Sequence, residues 1–206
     1  MNIKEKTYRV FEVDGVTYSG KDGKKGRTCD YIFDLFPERY FEGKTVLDIG
    51  CAAGAVLFEA NKRGIKEGTG VDVDWDKMNV GLEICQKHKK ENIHILHTGT
   101  ASPTFFDLQY KYDCIFCLNV LHHMPDPHFY LNYMAAHATD TICIETPLNA
   151  FYHPYKRDKD KPNSRPITPK DIQDFLGEHG FKMIADAESP DFFKGGPRVV
   201  AVFNKK

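Results

Sequence analysis

Hydrophobic and polar positions fall into a repeating order along most of the chain. Short apolar, β-rich runs occur at Thr45–Ile49, Thr69–Val73, Ile93–His97, Tyr112–Leu118, Thr141–Glu145, Phe181–Ala187 and Val199–Phe203. Runs of this length bounded by turn residues predict buried strands. Segments with apolar residues at helical spacing separate several of them. Val56, Leu57 and Ala60 predict a helix that runs to about Arg63, where Gly64 stops it. Val80, Leu82, Ile84 and Cys85 predict another over Trp75–His88, capped by Asp74. Asp126 followed by Pro127 predicts a third start, and Thr168-Pro169-Lys170-Asp171 a fourth, ended by Gly180. Upstream, Tyr8–Tyr18 holds Asp14-Gly15 between β-rich arms, a hairpin signal. Thr28 is placed to cap a helix over Cys29–Phe36. Strands alternating with helices predict one α/β domain over 28–206, with 1–27 as a hairpin and basic-loop extension.

The run at 45–49 carries a carboxylate, Asp48, near its carboxyl end and enters Gly50-Cys51-Ala52-Ala53-Gly54. A turn with so little side-chain bulk, placed between a strand and a helix, lets a ligand press on bare backbone near the first helical N–H groups. Taken alone, it also fits a plain strand–turn–helix joint. The spacing does not give Gly-x-Gly-x-x-Gly, which argues against a dinucleotide-dependent dehydrogenase.

Composition narrows the classes. The chain has 206 residues, 41% hydrophobic, which suits one sizeable core. Net charge is −1 and the pI about 6.7, so no global basic field favours nucleic acid. No apolar run is long enough to span a bilayer, and MNIKEKTYRV does not read as a secretory leader, so a cytoplasmic location is expected. Of six cysteines, Cys51, Cys114, Cys117 and Cys143 fall in or beside core strands and read as reduced thiols. Cys114 and Cys117, three apart on one strand, point to opposite faces, so no metal site is expected there.

Two stretches at matching order and distance carry a resemblance. Asp48-Ile49-Gly50-Cys51-Ala52-Ala53-Gly54 resembles the first motif of the class I, Rossmann-like S-adenosylmethionine-dependent methyltransferases, with Ala52 where the middle glycine usually stands. Asn119-Val120-Leu121-His122-His123-Met124-Pro125-Asp126-Pro127 resembles the family's fourth motif. The resemblance covers roughly residues 28 to 206. It implies a doubly wound α/β sheet of seven strands in the order 3-2-1-4-5-7-6, the last antiparallel, with helices on both faces. It implies S-adenosyl-L-methionine as cofactor, its methionine part supported by the backbone of Gly50, Cys51, Ala52 and Gly54, with Asp48 orienting that region. Asp72, 22 residues after Gly50 at the second strand's end, is placed to accept both ribose hydroxyls. Val73 and Trp75 are candidates to wall the adenine; Trp75 equally suits a core or surface place. Thr100 stands where the family usually has an aspartate for the adenine amino group. Asn119 and Val120 fall against the sulfonium.

On the acceptor side the candidates are His122, His123, Glu145 and His153. Adjacent histidines generally point apart, so one of His122 and His123 is read as a substrate-side base or orienter and the other as a packed loop residue. Glu145 is open between a general base, a substrate anchor and a structural ion pair. The stretch 147–166, with four prolines and charges of both signs, reads as a lid-like insertion. Its basic residues (Lys156, Arg157, Lys159, Lys161, Arg165) and those of 20–27 (Lys21, Lys24, Lys25, Arg27) suggest a small anionic acceptor, a sugar or phosphorylated compound methylated on O or N. Two alternatives stand beside this. The opening motif with Leu121-His122-His123 also resembles transfer-RNA wobble-uridine modifiers, and Ala52 with Thr100 leaves room for a cofactor-binding but inactive partner subunit.

Overall fold

The computed structural model describes residues 7–19, 28–98, 110–124, 126–148, 167–189 and 197–206. A two-stranded hairpin opens them: β1 (Phe11–Val13) and β2 (Val16–Tyr18), antiparallel, with Asp14 and Gly15 both at positive φ in the turn. The rest builds one seven-stranded sheet. Its strands are β3 (Thr45–Ile49), β4 (Glu67–Asp72), β5 (Ile93–His97), β6 (Tyr112–Leu118), β7 (Ala138–Pro147), β8 (Phe181–Glu188) and β9 (Arg198–Lys205). They lie in the order β5-β4-β3-β6-β7-β9-β8. β3 pairs in parallel with β4 and β6, and β9 runs antiparallel to both β7 and β8. Counted from β3, this is the 3-2-1-4-5-7-6 order with the last strand reversed.

Alternation along the central strands sorts side chains into two cores. Val46, Cys114, Phe116 and Leu118 face one layer, packed with the hairpin, α1 (Asp30–Phe33), α2 (Ala55–Lys62) and α3 (Trp75–Lys87). Leu47, Ile49, Ile115 and Cys117 face the other, packed with α4 (Pro127–His137) and α5 (Pro169–Glu178). Cys114 and Cys117 therefore do sit on opposite faces. All six cysteines are free thiols.

Several sequence expectations change in detail, the last two strands running on to Glu188 and over Arg198–Lys205. The helix expected over 29–36 is a single turn, Asp30–Phe33, capped by Cys29 without a side-chain bond from Thr28. Beyond it the ladder tightens to bonds three residues apart, at Leu35 and Phe36, while Phe33 and Phe36 pack against Phe41 and Phe116. The second core strand starts two residues earlier than expected and ends at Asp72, leaving Val73 beyond it. The fifth extends to both sides, because Ala138 still pairs with Tyr112 and Pro147 with Arg198. The other three side-chain caps hold as expected. Asp74 accepts from Lys77 N, Asp126 from His128 N and Phe129 N, and Thr168 forms a reciprocal box with Asp171. Among the described residues no helix is long and apolar enough to cross a membrane.

Candidate active-site cleft

The carboxyl ends of β3, β4 and β6 open onto a cleft of ≈ 740 Å³, at the point where the sheet's connections reverse direction. Asp48, Gly50, Cys51, Ala52, Asp72, Val73, Asn119, Val120 and His123 all line it. Tyr8, Arg9 and Phe11, from the segment entering the hairpin, form the wall that sequence reasoning missed.

The elbow after β3 is shaped by close packing. Gly50 has φ +78°, and a Cβ there would lie 2.2 Å from Val120 Cγ2. Only glycine fits, which brings the ends of β3 and β6 together without a side chain between. Ala52 also holds a left-handed φ of 49°, a strained state for a residue with a Cβ. The elbow's amides are mostly committed: Gly50 N and Cys51 N donate to Val71 O, and Gly54 N to Cys51 O. The amides of Gly50, Cys51 and Gly54 are therefore engaged within the fold, and what these residues offer a ligand is backbone shape. Gly54 does not line the cleft; it is the N-cap of α2 at φ +82°, with no side-chain cap. The first α2 amides, on the lining residues Ala55 and Val56, have no intrahelical acceptor and are the donors available there.

Two carboxylates end adjacent strands. Asp72 is heavily engaged: Oδ2 accepts from Ala52 N (2.7 Å), and Oδ1 from Val73 N (2.7 Å) and Asp74 N (2.8 Å). Of about four lone-pair positions on a carboxylate, three are taken, and the open one is on Oδ2. Asp72 thus braces the elbow, and a two-handed grip on a ribose requires one of these amides to let go. Asp48 differs. It is 2% exposed and accepts no hydrogen bond from the described residues. Burial pushes its carboxyl up to about 7; Arg9 nearby pulls it back and Asp72 adds to the rise.

Glu145 is not at the cleft surface. It is fully buried, with Oε2 accepting from Arg9 Nη2 (2.9 Å) and Asn119 Nδ2 (2.5 Å) and Oε1 from the Tyr31 hydroxyl (2.6 Å). Of its open readings, the structural ion pair is the one that matches this placement. Breaking such a buried pair by removing one partner costs on the order of 3–5 kcal/mol. Asn119, at the other end of that bond, has φ 61° and a buried Oδ1 with no partner among the described residues.

His122 and His123 do not point apart. A 3-10 turn over Leu121–His123 brings their ring centroids to 4.0 Å, and only His123 lines the cleft. Leu118, Val120, Met124 and Tyr130 surround it with apolar and aromatic surface. Val73 lines the cleft, whereas Trp75 is 55% exposed and stands edge-on to His97. Thr100, His153, the basic loop 20–27 and the insertion from 149 to 166 lie outside the described residues. No cluster of metal-ligating side chains occurs among the described residues.

The cleft fits an adenosyl amino-acid ligand on its own terms. It has a floor that a Cβ would fill, a buried carboxylate that accepts no hydrogen bond from the described residues and so suits positive charge, and an open lone pair on Asp72. The buried cation Arg9 suits a carboxylate.

Comparison with known proteins agrees. The family described as "Methyltransferase domain" matches residues 23–185. A tRNA U34 carboxymethyltransferase of Nautilia profundicola is 36% identical over 91 residues, covering 44% of this chain and 29% of that protein. A ubiquinone biosynthesis O-methyltransferase of Actinobacillus pleuropneumoniae is 37% identical over 91 residues, covering 41% of this chain and 37% of that protein. The matches thus span about a third of these relatives' own length. Among solved structures, a magnesium protoporphyrin IX methyltransferase from Synechocystis with bound SAM superposes with a TM-score of 0.67 at 18% identity, covering 86% of this chain and 77% of that one.

Proposed function

The chain belongs to the methyltransferase-domain family, and from that premise we propose that its cleft binds S-adenosylmethionine and directs methyl transfer to an oxygen or nitrogen of a small molecule. The observation that carries this reading is Asp48. A buried carboxylate without a hydrogen-bond donor, on the floor of a cleft, calls for a cation. When bound, S-adenosylmethionine supplies a methyl group on positively charged sulfur, already activated for in-line displacement.

The chain's residues then do four things. Asp48 faces the positive charge. The Gly50–Ala53 elbow and the first turn of α2 let the ligand approach backbone, and Asp72 takes a ribose hydroxyl through Oδ2. Arg9 offers its guanidinium to the amino-acid carboxylate. Leu118, Val120, Met124 and Tyr130 exclude water and align the acceptor, the main contribution for an activated donor. His123 is the imidazole placed to remove a proton from an acceptor hydroxyl or amine.

Support for an anionic group on the acceptor comes from the sequence of 20–27 and 156–165 alone. A transfer-RNA acceptor is the second reading, favoured by the named activity of two relatives and opposed by the near-neutral charge. Transfer of labelled methyl from S-adenosylmethionine into a cell extract, split into RNA and small-molecule fractions, separates the two. Label in the small-molecule fraction, lost in His123→Ala, is the expected result. Binding without transfer into either fraction would leave an inactive binding subunit.

A further inference from the structure

Glu145 has no opening to the cleft, yet two residues that line the cleft hang from it. Its Oε2 takes Arg9 Nη2 and Asn119 Nδ2, and its main-chain oxygen takes Asn119 N at 3.0 Å. These bonds settle two choices the chain would otherwise leave free. Asn119 is held in its left-handed conformation from both backbone and side chain. Its amide cannot turn over, since a flip would set oxygen against oxygen, so Oδ1 is left as the acceptor. Arg9 is anchored through Nη2, while Nη1 has only long contacts, 3.3 Å to the Tyr31 hydroxyl and 3.4 Å to Thr28 O. Both hydrogens of that nitrogen are held only by these long, weak bonds, so an anion can compete for them.

Asp72, which ends β4, shares no hydrogen bond with Glu145, and β3 and β6 lie between their two strands. A carboxylate with three donors, one of them a cation, also lacks the exposed lone pair a general base needs.

We propose that Glu145 is a positioning residue for the amino-acid end of the bound ligand: it fixes the Arg9 guanidinium toward a carboxylate and the Asn119 amide oxygen toward an ammonium, and leaves the nucleoside end untouched. This rests on the S-adenosylmethionine reading above.

The test compares two probes by calorimetry. S-adenosylhomocysteine carries the amino-acid group, and 5′-methylthioadenosine lacks it. Glu145→Gln is expected to weaken S-adenosylhomocysteine about tenfold or more, the scale of one lost charge-assisted contact, and to leave methylthioadenosine within about twofold. Asn119→Gly keeps the left-handed backbone, so it folds even where Glu145→Gln does not, and is expected to show the same split. Equal weakening of both probes in a folded variant overturns the proposal and makes Glu145 a strut only. A wild-type protein that binds neither probe overturns the cofactor reading itself, a different result from either.

Discussion

Replacing Asp48 by Asn removes a charge that the fold buries without a hydrogen-bond donor among the described residues. The cost of that charge follows from its titration. The carboxyl moves from its ordinary 3.8 to about 7, mainly through burial, with Arg9 opposing and Asp72 reinforcing the rise. A folded-state value raised above the unfolded one means stability is full below 3.8 and falls as pH climbs to about 7, then levels. At about 1.4 kcal/mol per unit, the whole window is worth about 4 kcal/mol, and more than half of it accrues between pH 5 and pH 8.5. In a chain of this size that corresponds to roughly 5–10 °C in melting temperature. Wild type and Asp48→Asn should therefore be melted at both pH values without ligand. The variant's advantage over wild type should grow by that amount at pH 8.5. Any packing defect from the amide appears at both pH values and cancels. An advantage that does not change with pH would refute the assignment of an unpaired buried carboxyl. Added S-adenosylmethionine supplies the missing cation, so wild-type affinity should rise with pH through 7 and that of Asp48→Asn should not.

Gly50→Ala should cost at least about 2 kcal/mol, because the methyl meets Val120 Cγ2 at 2.2 Å and the backbone is left-handed. Adding Val120→Ala should restore part of the loss in denaturant melts, and no rescue would place the strain elsewhere. Asp72→Ala strands the amides of Ala52, Val73 and Asp74, so it should lower both melting temperature, by about 2 kcal/mol equivalent, and S-adenosylmethionine affinity; unchanged affinity would remove its ribose role. Thr168→Ala breaks the reciprocal cap of α5 and should cost about 1 kcal/mol with no change in ligand binding, as read by melting and calorimetry.

Local chemistry made much of this molecule legible in sequence. Apolar runs ending in Asp48 and Asp72 marked the strands and the rim together, and Asp74, Asp126 and Thr168 announced their helices because a cap needs only its next few neighbours. What the sequence left open depended on distant partners. Glu145 offered three roles in sequence, and only its burial beside Arg9 and Tyr31, unseen there, favours the ion pair. Arg9 drew no notice, since its neighbours read only as a hairpin arm and its partner lies far along the chain. The committed amides of Gly50 and Cys51 were equally hidden: both bond to Val71, on another strand. The helix expected to Phe36 fell short because the packing of Phe33 and Phe36 on Phe41 and Phe116, a long-range matter, governs that turn.

The Arg9–Glu145 contact joins residues 136 positions apart. During synthesis the arginine leaves the ribosome long before its carboxylate does, while neighbouring strand pairs are already able to assemble. The leading segment must then wait, unlatched, until β7 emerges and joins the sheet. A chain interrupted between Asp72 and Glu145 would carry the elbow and both rim aspartates but no finished wall, so ligand binding in nascent or shortened chains should appear late, in step with β7.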